Sequence, residues 1–136
     1  MTTSIFQKTA LAVAGLSASV IGGFILFAPQ AFYAGYGILL PDDPNLLSEL
    51  RAPAANLTIL GLVMLAGLFR SAWAGVSATV VIILFYAFAF GRLVSIAMDG
   101  MPSDSIVVAL IIELAIATIC LVAFWPGSQR QLALNS

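Results

Sequence analysis

Residues 105–125 read Ser-Ile-Val-Val-Ala-Leu-Ile-Ile-Glu-Leu-Ala-Ile-Ala-Thr-Ile-Cys-Leu-Val-Ala-Phe-Trp, an apolar run broken by a single charged residue, Glu113. A bilayer core about 30 Å thick is crossed by roughly 20 mainly apolar helical residues, so this stretch is long enough to span it. Three upstream stretches resemble it, at 10–27, 54–69 and 73–98. The second is short by itself, but Asp43-Pro44-Asn45 ahead of it reads as a helix start, with Asp43 as N-cap and Pro44 in the first helical position. That helix is therefore expected over about 44–69, kinked at Pro53, which lacks a donor and crowds the preceding turn. The chain is predicted to be all-α, an integral membrane four-helix bundle forming one domain over 1–136, with spans at about 10–27, 44–69, 73–98 and 105–125.

Composition agrees with that reading. Of the 136 residues 62% are hydrophobic and 8% charged, far from the soluble balance of about half apolar and a quarter charged. The net charge is -1 and there are five Lys and Arg residues, too few to make the clustered basic surface that nucleic acid requires. Without histidine, and with Cys120 as the one cysteine, the chain lacks ligands for the common zinc, haem and dithiol sites, and no cofactor is expected. Cys120 stands in an apolar run and is expected to be a small buried hydrophobe. Lys8 and the stretch behind it have the outline of a signal peptide, but no convincing small-x-small site follows Phe27, and a membrane span is expected instead.

Charge orients the spans. Lys8, Arg70 and Arg130 fall on one side, and Asp42, Asp43, Glu49, Asp99 and Asp104 on the other, so the positive-inside rule puts both termini in the cytoplasm. Trp73 and Trp125 lie at the cytoplasmic ends of their spans, as interfacial aromatics do. The first span has small residues at Ala10, Ala14, Ala18 and Gly22, beside Gly15, Ser19 and Gly23. Such rows let helix backbones approach closely in lipid, either inside the bundle or as a homo-oligomer seam.

Ionisable groups at membrane depth cost roughly 2.5 to 3.5 kcal/mol on insertion scales and usually face the bundle interior with a partner. Glu113 lies about 12 Å in from Ser105 and Arg92 about 10 Å in from Asp99, at 1.5 Å per residue. Counted from Trp73 and Trp125 the two depths differ by roughly 10 Å, so the third span is expected to tilt or protrude. Helical side chains lean toward the N-terminus, and on oppositely directed helices this brings the two groups together. Arg92 and Glu113 are predicted to meet. Ser95 and Asp99 share the face of Arg92; Glu49, Pro53 and Asn56 share a face of the second span, with Arg51 beside it. A polar ligand-binding pocket opening outward is expected from Glu49, Arg51, Asn56, Arg92, Asp99 and Glu113, with arginines for an anionic head and carboxylates able to take a proton. The structural alternative is an ion pair that only fixes the register of four greasy helices. Phe32, Tyr33 and Tyr36 are expected at the membrane interface, or as a lid over the pocket. Asp99-Gly100-Met101-Pro102 reads as a tight turn, with Ser103 or Asp104 capping the last helix.

Several of these residues also carry a family resemblance. Ala28-Pro29 with Phe32 and Tyr33 after the first span, Glu49-Leu50-Arg51-Ala52 before the second, Gly91-Arg92, Asp99-Gly100-x-Pro102 and Glu113 together make nearly the whole chain similar to a bacterial membrane family. This is the family catalogued as domain of unknown function 4345, distantly like the DoxX-type four-helix proteins. The glycines often seen after the Arg-Ala pair are Pro53, Ala54 and Ala55 here. The resemblance implies a four-helix bundle in the bacterial inner membrane and no settled activity.

The expected role is an accessory or assembly subunit of a larger membrane complex, with membrane lipid around it and that complex or a homo-oligomer as partner. The alternative is a binder or transporter of a small amphiphilic or anionic ligand. Four short helices leave little room for an alternating-access path. An enzyme is not expected, because no histidine, metal cluster or phosphate-binding loop is present.

Overall fold

The computed structural model of the chain describes residues 3–126, so Arg130, assigned above to the cytoplasmic side, lies outside the described residues. Helix α1 runs Ile5–Phe27, the short α2 Pro29–Ala34, α3 Pro44–Phe69, α4 Ala74–Asp99 and α5 Asp104–Phe124, with a single 3-10 turn at Ser71–Trp73 ahead of α4. The described residues contain no strand. Four of the helices are long and apolar enough to cross a membrane, which makes this an all-α, multi-pass membrane protein.

The helix ends follow local chemistry. α1 starts earlier than its apolar run, because Ser4 and Gln7 form a capping box: the Ser4 hydroxyl accepts from the Gln7 N–H at 3.2 Å and the Gln7 side-chain oxygen from the Ser4 N–H at 2.9 Å. The α3 start is as expected, with Asp43 accepting from the Asn45 N–H at 2.9 Å and Pro44 in the first turn. Pro53 leaves α3 unbroken as a helix, so the Glu49 carbonyl lacks its usual partner four residues on. α4 stops at Gly100, whose φ of 93° lies in the left-handed region that glycine alone adopts freely. Ser103 takes the N-cap position of α5 without a side-chain cap bond.

The long helices alternate in direction. Gln7 at the start of α1 donates through Nε2 to the Ala123 carbonyl at the end of α5, at 2.9 Å. Along α4 and α5 the antiparallel pairing reads off three contacts: Cys120 Sγ beside the Ala78 carbonyl, the Tyr86 hydroxyl 2.9 Å from Thr118 Oγ1, and Arg92 against Glu113. Exposed Lys8, Arg70, Trp73 and Trp125 share the end where α1 begins and α3 ends.

The small-residue row of α1 is turned into the bundle. Ala10, Ala14, Ala18 and Gly22 are buried, and the closest approach of α1 is to α3. A Cβ on Gly22 would fall 2.7 Å from the Thr58 nitrogen and 2.9 Å from the Ala54 oxygen; one on Gly61 would fall 2.6 Å from the Ser19 nitrogen. Backbone therefore meets backbone, the arrangement that small residues permit in lipid. α3 of the same chain occupies this row, while Gly23 of the neighbouring row stays open. The core gathers at the Gln7–Ala123 end of the bundle, around Leu11, Met64, Val81, Ala117 and the fully buried Cys120. Ser77 is buried there as well, its hydroxyl donating to the Val63 carbonyl at 2.8 Å.

Candidate functional site

Where the core ends, toward α2, the helices enclose a cavity of about 450 Å³. That volume lies within the range of about 300–1,000 Å³ usual for small-molecule sites. Its walls are Ile21 and Ile25 of α1, Phe85 and Phe88 of α4, and Ala109, Ile112 and Ile116 of α5, with Leu57 of α3 behind them. α2 and the loop after it contribute Phe32, Tyr33, Tyr36 and Ile38.

The charged groups on this wall are Arg92 and Glu113. The guanidinium Nε donates to Glu113 Oε2 at 2.8 Å and to Oε1 at 3.1 Å, while Nη2 donates to Oε1 at 2.9 Å. Planar two-nitrogen pairing of this kind is the strong form of an ion pair, and it fixes both rotamers. The predicted meeting of the two side chains is thus present in the structure. Their exposure is unequal, at 32% for the Arg92 side chain and 13% for Glu113. A guanidinium has five N–H groups. Glu113 engages those on one edge, and the Nη1 nitrogen has no hydrogen-bond partner among the described residues.

Above the pair sits an aromatic cluster built on Phe32. Its ring meets Phe24 edge-on at 5.5 Å, Tyr33 edge-on at 5.3 Å and Tyr36 at 5.3 Å. Pro29 at the first turn of α2 brings these rings back over the bundle directly after α1. Burial pushes the Tyr33 phenol above its usual range, the neighbouring Arg92 charge pulls it partly back, and Tyr36 adds to the rise. At neutral pH Tyr33 is therefore an uncharged hydroxyl able to donate. Phe32, Tyr33 and Tyr36 all line the cavity.

The other residues expected in the pocket lie elsewhere. Arg51 reaches across to α1, its Nε donating to the Leu26 carbonyl at 3.1 Å, and so satisfies an open carbonyl of the last turn of that helix. Asp99 is exposed and accepts from the Ser95 hydroxyl at 3.3 Å on its own helix. Glu49 and Asn56 point outward from α3 and are exposed. Of the six residues proposed from sequence, Arg92 and Glu113 line the cavity and Glu49, Arg51, Asn56 and Asp99 do not. Nothing in the sequence signals the aliphatic wall. Ile21, Ile25 and Ile112 look like any other lipid-facing residues until the helices are assembled.

Among the described residues no three His, Cys, Asp or Glu side chains come together to hold a metal ion. No curated protein and no solved structure matches the chain. The family described as Domain of unknown function (DUF4345) matches residues 6–124, which takes in α1, the aromatic α2, the Arg92–Glu113 pair and the end of α5. The chain belongs to that family.

Proposed function

We propose that the protein binds one small amphiphile in the cavity beneath α2, with an acceptor-rich or anionic head on Arg92 and an apolar body among the isoleucines and phenylalanines. The observation that carries this reading is Arg92 on the wall of an otherwise mainly apolar space, with its Nη1 nitrogen left without a hydrogen-bond partner among the described residues. Glu113 balances the guanidinium charge and holds it in place, so the head is recognised by directed N–H donors more than by net charge. Tyr33 and Tyr36 supply further hydroxyls at the same mouth. In this reading the protein binds its ligand without reacting with it. It sits in the bacterial inner membrane with the α2 end outward and both termini in the cytoplasm. Lys8 and Arg70 at one end, with Asp42, Asp43, Asp99 and Asp104 at the other, support that orientation.

The test is mass spectrometry of the protein purified in mild detergent. Wild type is expected to retain a defined amphiphile, and Arg92→Ala to lose it at unchanged helix content. Retention by Arg92→Ala equal to wild type would falsify the reading.

A second reading, an accessory or assembly subunit of a larger membrane complex, is favoured by a different surface. Ala87, Gly91 and Ser95 make an exposed row of small residues on α4, and a Cβ on Gly91 would meet nothing within 4 Å. A neighbouring helix could approach closely there. Such a subunit co-purifies with its partner in mild detergent, and Gly91→Leu releases the partner. Recovery of the chain alone counts against this role.

A further inference from the structure

We infer that the occupant of the cavity arrives sideways from the lipid, through a crevice between α1 and α5, and is therefore a long-chain amphiphile dissolved in the membrane, not a solute taken from water. This rests on the cavity being a binding site, as proposed above.

The helices form a ring: α1 packs on α3, α3 on α4 and α4 on α5, and the return from α5 to α1 is the least extensive of the four neighbouring contacts. The ring closes between α5 and α1 at one end, where Gln7 bonds to the Ala123 carbonyl. Toward α2 the facing parts of the same two helices are separated by the cavity: Ser17 and Ile21 lie on one side, Val108 and Ile112 on the other. Ile21, Val108 and Ile112 line the cavity, yet keep 40%, 52% and 51% of their surface exposed. Ile38 and Phe88 of the lining keep 39% and 38% exposed, so the lining reaches the surface there too, but Val108 and Ile112 are more exposed than either, and their side faces lipid because α1 and α5 are both membrane spans.

The two routes into the cavity differ in chemistry. The route past α2 is roofed by Phe32, Tyr33 and Tyr36, whose rings pack on one another. The route between α1 and α5 is edged by aliphatic side chains. Parting such side chains in lipid carries little penalty, because acyl chains replace the contacts they give up. An acyl chain can thus lie in the crevice while its head turns inward to Arg92. A short polar solute has no comparable gain from the lateral route.

The test uses Ile21→Cys/Ile112→Cys in a Cys120→Ala background, reconstituted in phosphatidylcholine vesicles and bridged by a reducible bis-thiol linker. The probes are a diazirine-bearing palmitate supplied in the vesicles and a diazirine-bearing butyrate supplied in water. Unbridged protein is expected to be photolabelled by palmitate on cavity residues such as Ala109. Bridging is expected to abolish that labelling, reduction to restore it, and butyrate labelling to survive throughout. Val108→Trp, which narrows the crevice without a linker, is expected to reproduce the loss of palmitate labelling while butyrate still labels the cavity. Palmitate labelling that persists after bridging, yet disappears in Arg92→Ala, overturns the lateral route and leaves the binding site standing. Failure of both probes to label the wild-type protein overturns the binding site and the route together.

Discussion

Arg92 on α4 and Glu113 on α5 grip each other side-on, through two guanidinium nitrogens and both carboxylate oxygens, and both residues line the cavity. The pair thus has a structural side and a cavity side. Single and double substitutions separate them. Arg92→Leu or Glu113→Leu alone strands a charge and is expected to cost about 1–3 kcal/mol, below the 3–5 kcal/mol of a fully buried pair because Arg92 is part exposed. The double Leu variant is expected to recover most of that stability and still fail to bind. Unfolding in detergent measures the first quantity and retained amphiphile the second. Full binding by the double variant would leave the pair only a structural role.

The α1–α3 crossing tolerates no added volume. Gly22→Ala and Gly61→Ala are each expected to destabilise by about 1–3 kcal/mol, since the new methyl meets backbone of the facing helix. Gly91→Ala, in open space on α4, is expected to be neutral or to stabilise by up to about 1 kcal/mol through backbone entropy. Ser19 belongs to the same crossing, and its hydroxyl is buried without a partner among the described residues. Ser19→Ala is expected to match or exceed wild-type stability. Thermal unfolding of the four variants in one detergent ranks them.

Gln7 serves two helices at once, completing the α1 capping box and bonding to the α5 terminus. Gln7→Leu keeps the bulk but leaves the Ala123 carbonyl without its partner, and is expected to cost about 1–3 kcal/mol. Ser4→Ala, which removes only the cap, is expected to cost about 1 kcal/mol. Hydrogen exchange at the start of α1 and the end of α5 separates the two cases: Gln7→Leu raises exchange at both sites, Ser4→Ala at the first alone.

Alkaline pH should act on Tyr33. Its folded phenol ionises above the ordinary value of 10.0, chiefly because it is buried. Below pH 10 both the folded and unfolded phenol keep the proton, and stability does not depend on it. Between 10 and the higher folded value the unfolded chain releases a proton that the folded protein retains, so stability falls as pH rises. The difference in phenolate absorbance between wild type and Tyr33→Phe is expected to titrate above 10.0, and that variant should lose less stability across this window.

Much of the fold was legible because its signals are local. Asp43-Pro44 marks a helix start by capping chemistry alone and functions as expected, whereas Asp99-Gly100-Met101-Pro102, expected as a tight turn, instead ends α4 at Gly100 and runs on without a turn. The Ser4–Gln7 box carries an equally local signature. The Arg92–Glu113 contact was legible for a different reason: two opposite charges at similar depth on adjacent antiparallel helices have few other partners in lipid. Arg51 followed the same logic to a different acceptor, the Leu26 carbonyl, because the open end of a helix competes with any carboxylate for a guanidinium. Glu49 and Asn56 stay outward; near the end of a span a polar side chain can satisfy itself without entering the bundle.

By itself, then, the sequence determined four helices long and apolar enough to cross a membrane, the start of α3, and one intramembrane ion pair, all consequences of length, local capping and the cost of charge in hydrocarbon. Tertiary structure alone decided that the small-residue row of α1 meets α3, that the aromatics of α2 fold back over the bundle, and that α1 and α5 part to leave a cavity beside Arg92. In lipid an isoleucine has no preference between a neighbouring helix and an acyl chain, so hydropathy does not distinguish the inside of such a bundle from its outside. Shape does, and shape exists only once the helices have packed.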